Sequence, residues 1–98
     1  MATKLVTITA AGTDATVVTV PANKIYKVTG IIITNRASAN AVVEVYDGPS
    51  ASGELKLKVI AETGKTVAFG EVKPEFSTSI VVKSDQADVD VMVEYEER

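Results

Sequence analysis

The sequence predicts an all-β protein: a single antiparallel β-sandwich or jelly-roll of about eight short strands, filling residues 1–98 as one domain. Three observations carry this expectation. Apolar residues recur with period two from end to end, and no window shows an apolar stripe of helical period capped at both ends. The apolar content is mostly Val, Ile and Ala, and Thr is also frequent; the β-branched members lose freedom in helices but pack well on a pleated sheet. Gly, Pro, Asn and Asp cut the pattern at short, regular intervals, as turns do in sandwiches.

The elements follow in order. Lys4 to Thr9 places Val6 and Ile8 on one face and Leu5, Thr7 and Thr9 on the other, and stops at Gly12. Ala15 to Val20 ends at Pro21, which lacks a ladder donor. Ile25 to Asn35 is long and apolar on both faces at Ile31, Ile32 and Ile33, so it lies centrally or bends between sheets, with Gly30 as the place to bend. Ala41 to Asp47 turns Val43 and Val45 inward and Glu44 and Tyr46 outward. Asp47 to Gly53 is a surface loop. Glu54 to Ala61 sets Leu55, Leu57 and Val59 against Glu54, Lys56 and Lys58, and the lysines suit an edge strand. A tight turn at Glu62 to Lys65 leads into Thr66 to Phe69. Gly70 to Ser77, with Pro74 and no clear period, reads as a crossing loop. Ser79 to Lys83 turns Ile80 and Val82 inward, and Val89 to Tyr95 aligns Val89, Val91, Val93 and Tyr95 on one face.

A chain of 98 residues has room for one hydrophobic core. The net charge of -3 and scattered lysines argue against a nucleic-acid partner, whose phosphates need a basic stripe. Asp88, Asp90, Glu94, Glu96 and Glu97 concentrate acid at the C-terminus. The N-terminal residues alternate instead of forming a sustained apolar run, so neither a signal peptide nor a membrane span is expected, and the chain is expected to be soluble.

The same residues speak against catalysis. There is no His, the commonest general base, and no Cys, so neither a thiolate nucleophile nor a zinc or iron-sulfur site has its usual donors. No catalytic, cofactor-binding or metal-binding residue is nominated, and no cofactor is expected. Gly64-Lys65-Thr66 resembles the end of a phosphate-binding loop, but Val59 stands where that loop needs its first Gly, and the tripeptide reads as a hairpin turn. Asp85, Asp88 and Asp90 lack the spacing of a calcium loop. Glu44, Tyr46 and Asp47 read as a solvated sheet face, and Asn23, Asn35 and Asn40 as turn residues. No pair among the thirteen acidic residues stands out for carboxylate chemistry.

The run from Val20 through Pro21, Asn23, Tyr26, Gly30 and Asn35 to Asn40, continued by Val42 to Gly48, resembles small β-sandwich, jelly-roll-like structural proteins of virus particles. Glu62 to Phe69 and Val89 to Tyr95 share that style. The resemblance implies a non-enzymatic virion protein: a capsid decoration (cement) protein or head or tail accessory of tailed phages, assembled in the host cytoplasm. It implies homo-oligomers, trimers above all, docked on a capsid or tail lattice, with edge strands and a flexible segment at Met1 to Thr3 as docking devices. The other reading of these residues is a carbohydrate- or ligand-binding β-sandwich module, with Tyr26 and Tyr46 as its aromatic contacts or a bound Ca²⁺ beside a groove.

Overall fold

A computed structural model describes residues 2–70 and 74–98. They form nine strands: β1 (Ala2–Ile8), β2 (Asp14–Thr19), β3 (Tyr26–Asn35), β4 (Ala41–Asp47), β5 (Glu54–Ala61), β6 (Thr66–Gly70), β7 (Glu75–Phe76), β8 (Ser79–Ser84) and β9 (Val89–Glu97). The described residues contain no helix.

Two antiparallel sheets pack face to face. One runs β1-β9-β3-β6, with β7 pairing the start of β3, and the other runs β2-β8-β4-β5. The chain changes sheet at nearly every connection, and first and last strands lie side by side, which is the doubly folded Greek-key winding of a jelly roll. The fold class expected from the sequence is the one observed.

Alternation explains the core. Val28, Ile31 and Ile33 of β3, Val43 and Val45 of β4, Ile80 and Val82 of β8, and Val89, Val91 and Val93 of β9 are fully buried between the sheets. β3 is central, between β9 and β6, which accounts for its three successive isoleucines: Ile31 and Ile33 face the core while Ile32 faces out. A register shift between Val28 and Gly30, opposite β9, supplies the irregularity expected at that glycine.

Several expectations need correction. The segment 70–77 is not simply a crossing loop: Gly70 ends β6, and Glu75–Phe76 forms β7 against Tyr26 and Lys27, with Phe76 fully buried. Residues 71–73 of that segment lie outside the described residues. Leu55 does not face the core. A shift in the β4–β5 register sets Val45 against Leu57 but Tyr46 against Leu55, so the extra residue turns Leu55 outward, where it is 47% exposed. The turn at Glu62 to Lys65 is not a hairpin, because β5 and β6 belong to different sheets. Ala2 and Thr3 belong to β1, paired with Tyr95 and Glu94, and so are no loose arm; Met1 lies outside the described residues.

The Asp47 to Gly53 loop is held from both sides. The Asp47 carboxylate accepts from the amides of Ser77, Thr78 and Ser79 at 3.1, 2.9 and 3.3 Å and from the Ser77 hydroxyl, while Ser79 Oγ donates to the Gly48 carbonyl. Gly53 packs so closely on Gly48 and on the Asp47 carbonyl that a Cβ there would overlap backbone.

Candidate functional surface

The outer faces of both sheets set apolar side chains beside polar rows, in different arrangements. On the β2-β8-β4-β5 sheet the register aligns Asp14 with Lys83, Lys83 with Glu44, and Glu44 with Lys58. Charge therefore alternates across all four strands, an arrangement in which each cross-strand pair is attractive and the face stays hydrated. Tyr46 stands on this face beside Val81, which is fully buried although it points away from the core. Partial burial first, and then the neighbouring Glu44, raise the Tyr46 phenol above its ordinary value.

On the β1-β9-β3-β6 sheet the same logic aligns apolar side chains. Leu5 lies opposite Met92, Met92 opposite Ile32, and Ile32 opposite Ala68, giving one continuous row across four strands. Leu5 is 58% exposed and Ile32 37%. A polar row flanks each side. On one, Thr7 Oγ donates to Asp90 at 2.7 Å and the hydroxyls of Thr34 and Thr66 pair at 3.2 Å. Asp90 is also clamped by Arg36, with Nε at 2.9 Å and a second nitrogen at 3.1 Å. On the other, Glu94 accepts from Thr29 at 3.0 Å, and Gly30 faces Gly70. With no side chain at either glycine, the sheet surface sinks into an open hollow of about 320 Å³ bordered by Ile32, Ala68, Met92 and Glu94.

The residues weighed for chemistry are dispersed and committed elsewhere. Asp85 accepts from the Val42 amide at 2.8 Å, Asp88 makes a left-handed turn with φ 61° whose amide donates to Ile8, and Asp90 holds Arg36. Among the described residues no three His, Cys, Asp or Glu side chains converge as metal ligands would. The Arg36 guanidinium, then the Thr7 hydroxyl, hold the Asp90 carboxyl below the ordinary carboxylate range. Burial pushes Asp47 upward, but the amides of Thr78, Ser77 and Ser79 outweigh it and leave it low as well. Gly64 adopts φ 72°, and its amide donates to the Asn35 carbonyl, so it closes a turn and cradles nothing.

The tyrosines do not form an open platform. Tyr26 stacks on Tyr95 with ring centroids 5.2 Å apart, and both rings are half-buried against the core. Asn23 is a left-handed turn residue as expected. Asn35 is not a turn residue: it ends β3, buried, and its side chain bridges to the carbonyls of Ala39 and Ala61. Asn40 lies between β3 and β4 and accepts from the Thr63 amide.

No protein-family profile matches the chain, and no curated protein does. Shape does find a match. A solved structure of Bacillus endospore appendages, described as forming a novel family of disulfide-linked pili, aligns with a TM-score of 0.55 over 94% of this chain and 82% of that one. The two share the all-β fold. At 14% identity the match extends to the fold alone. No helix among the described residues is long and apolar enough to cross a membrane.

Proposed function

We propose that this chain is a non-enzymatic structural subunit that works by assembling with protein partners, itself included, through the outer surface of its sandwich. The observation that carries the reading is the four-strand apolar row Leu5, Met92, Ile32 and Ala68 on the outer face of the β1-β9-β3-β6 sheet. Aligned apolar side chains left in water lose the stabilisation that covering them would give, about 25 cal/mol per Å². The pilus protein sharing the fold is consistent with an assembly role. That protein is described as disulfide-linked, a route closed here because the chain has no Cys.

Within this reading the most concrete place for the subunit is a virus particle, as a capsid decoration or head or tail accessory protein. The strand and turn punctuation of the sequence supports that placement. Sedimentation of the full chain from micromolar to millimolar concentration, with electron microscopy of the same samples, tests assembly: closed oligomers or ordered arrays are expected, and a monomer throughout overturns the reading. Co-sedimentation with capsids produced from neighbouring genes tests the virion placement.

A further inference from the structure

The strands that border the two sheets protect their free edges unequally. β5 contains a register shift and carries Glu54, Lys56 and Lys58; β2 is bulged between Thr16 and Val18 and runs into Pro21; β6 has only five residues. Charges, bulges, prolines and shortness are the usual devices that keep an edge from adding a strand. β1 has none of them beyond Lys4. Its seven residues pair with β9 without a shift, and among the described residues its other edge has no partner.

Its own sequence decides what fits that edge. The outward side chains are Thr3, Leu5 and Thr7, an order that reads the same in both directions, and Leu5 is the midpoint of Ala2–Ile8. A second copy laid antiparallel about a two-fold axis through Leu5 therefore uses the whole strand: Ala2 opposite Ile8, Thr3 opposite Thr7, Lys4 opposite Val6, and Leu5 opposite its own counterpart. That register also continues the apolar row. Ala68, Ile32, Met92 and Leu5 of one copy meet Leu5, Met92, Ile32 and Ala68 of the other in one line. Slipping by a single residue would turn each side chain to the wrong face, and slipping by two would shorten the ladder and set Leu5 against Thr. Charge agrees with the arrangement, since β1 carries no carboxylate and the two Lys4 side chains fall diagonally, not opposite one another.

We infer that two copies of this chain join edge to edge through β1, in antiparallel register centred on Leu5, to make one continuous sheet. This deepens the assembly reading, on which it rests, by naming the surface and its symmetry, a two-fold contact in place of the three-fold one the sequence resemblance implied. The full chain carrying Leu5→Cys tests it, because the native sequence has no Cys to compete. Directly opposed Cβ atoms in an antiparallel pair lie about 4.5–5.5 Å apart, close enough to form a disulfide after a small adjustment.

Under mild oxidation Leu5→Cys is expected to form covalent dimer about tenfold or more faster than Ile60→Cys, which sits 66% exposed on the other sheet's edge. A mixture of Thr3→Cys and Thr7→Cys chains is expected to give mixed dimers, while either alone gives none. A cooperative thermal transition in each variant establishes that it folds, with Thr7→Cys expected to melt somewhat lower for loss of its hydrogen bond to Asp90. If the wild-type chain assembles but Leu5→Cys reacts no faster than Ile60→Cys, or the Thr3 and Thr7 variants cross-link only with themselves, the β1 contact is overturned and the assembly reading stands. A wild-type chain that stays monomeric overturns both.

Discussion

Asn35, at the end of β3, donates from Nδ2 to the carbonyl of Ala61, at the end of β5, at 2.9 Å, joining the two sheets through a buried hydrogen bond. The same nitrogen donates to Ala39 at 3.0 Å, and Oδ1 accepts from the Ala37 amide at 2.9 Å. Asn35→Ala leaves a buried carbonyl without its donor. The expected cost is about 2–3 kcal/mol, from the desolvation penalty of groups left unpaired. Urea denaturation measures it. Asn35→Asp should be worse still, since it sets a carboxylate against two carbonyls.

Phe76 is the largest of the fully buried side chains, although it belongs to a strand of two residues. Phe76→Ala empties its site and detaches β7 from Tyr26, so a loss of about 3–5 kcal/mol is expected. Phe76→Leu, which retains most of the volume, should lose less than half as much. Equal losses in the two variants, again in urea, would rule out packing as the source.

Asp47 and Asp90 make stability depend on acid. Both carboxyls are held below their ordinary value in the folded chain, so the unfolded chain binds more protons in acid. Stability is then complete above the unfolded value near pH 4 and is lost as the pH falls through the lower folded values. The thermal midpoint should be level near neutral pH and drop steeply below about pH 4. Asp47→Asn and Asp90→Asn should each start lower at neutral pH and lose less on acidification, and the double variant least. Curves parallel to the wild type in circular dichroism melts would show that these carboxylates are not responsible.

At Gly53 even a methyl group is too large. Its Cβ would meet the Asp47 carbonyl and sit 2.8 Å from Gly48 Cα, so Gly53→Ala should destabilise by about 1–3 kcal/mol. Gly12→Ala is the comparison: a Cβ there meets nothing within 4 Å, and the cost comes from its φ of 75° alone. Thermal melts of the two variants separate overlap from backbone strain.

Much of the fold is legible because alternation in β4, β8 and β9 reports burial directly: Val43, Val45, Ile80, Val82, Val89, Val91 and Val93 lie where their spacing puts them. Alternation fails where the count of residues on two strands differs. Nothing in the order of Glu54 to Leu57 announces the shift that turns Leu55 outward, because a bulge is a property of the β4–β5 pair. β7 is too short for any period to register, and Asn35 resembles a turn residue until its buried partners are seen. The apolar row is hidden for a related reason. Each of β1, β9, β3 and β6 contributes a single member, and nothing within one strand shows that the register brings the four into line.

The position of β9 between β1 and β3 governs when their sheet can close. β1 emerges first from the ribosome, yet its only strand partner among the described residues is made last. Until Val89 to Glu97 has been synthesised, β1 has no strand beside it and β3 has neighbours on one edge alone. Contacts so distant in sequence close slowly, because loop entropy is lost before any pairing compensates for it. Closure of this sheet thus waits for β9, and loss of that strand would leave β1 without its partner and β3 paired only with β6 and β7, not merely trim a border.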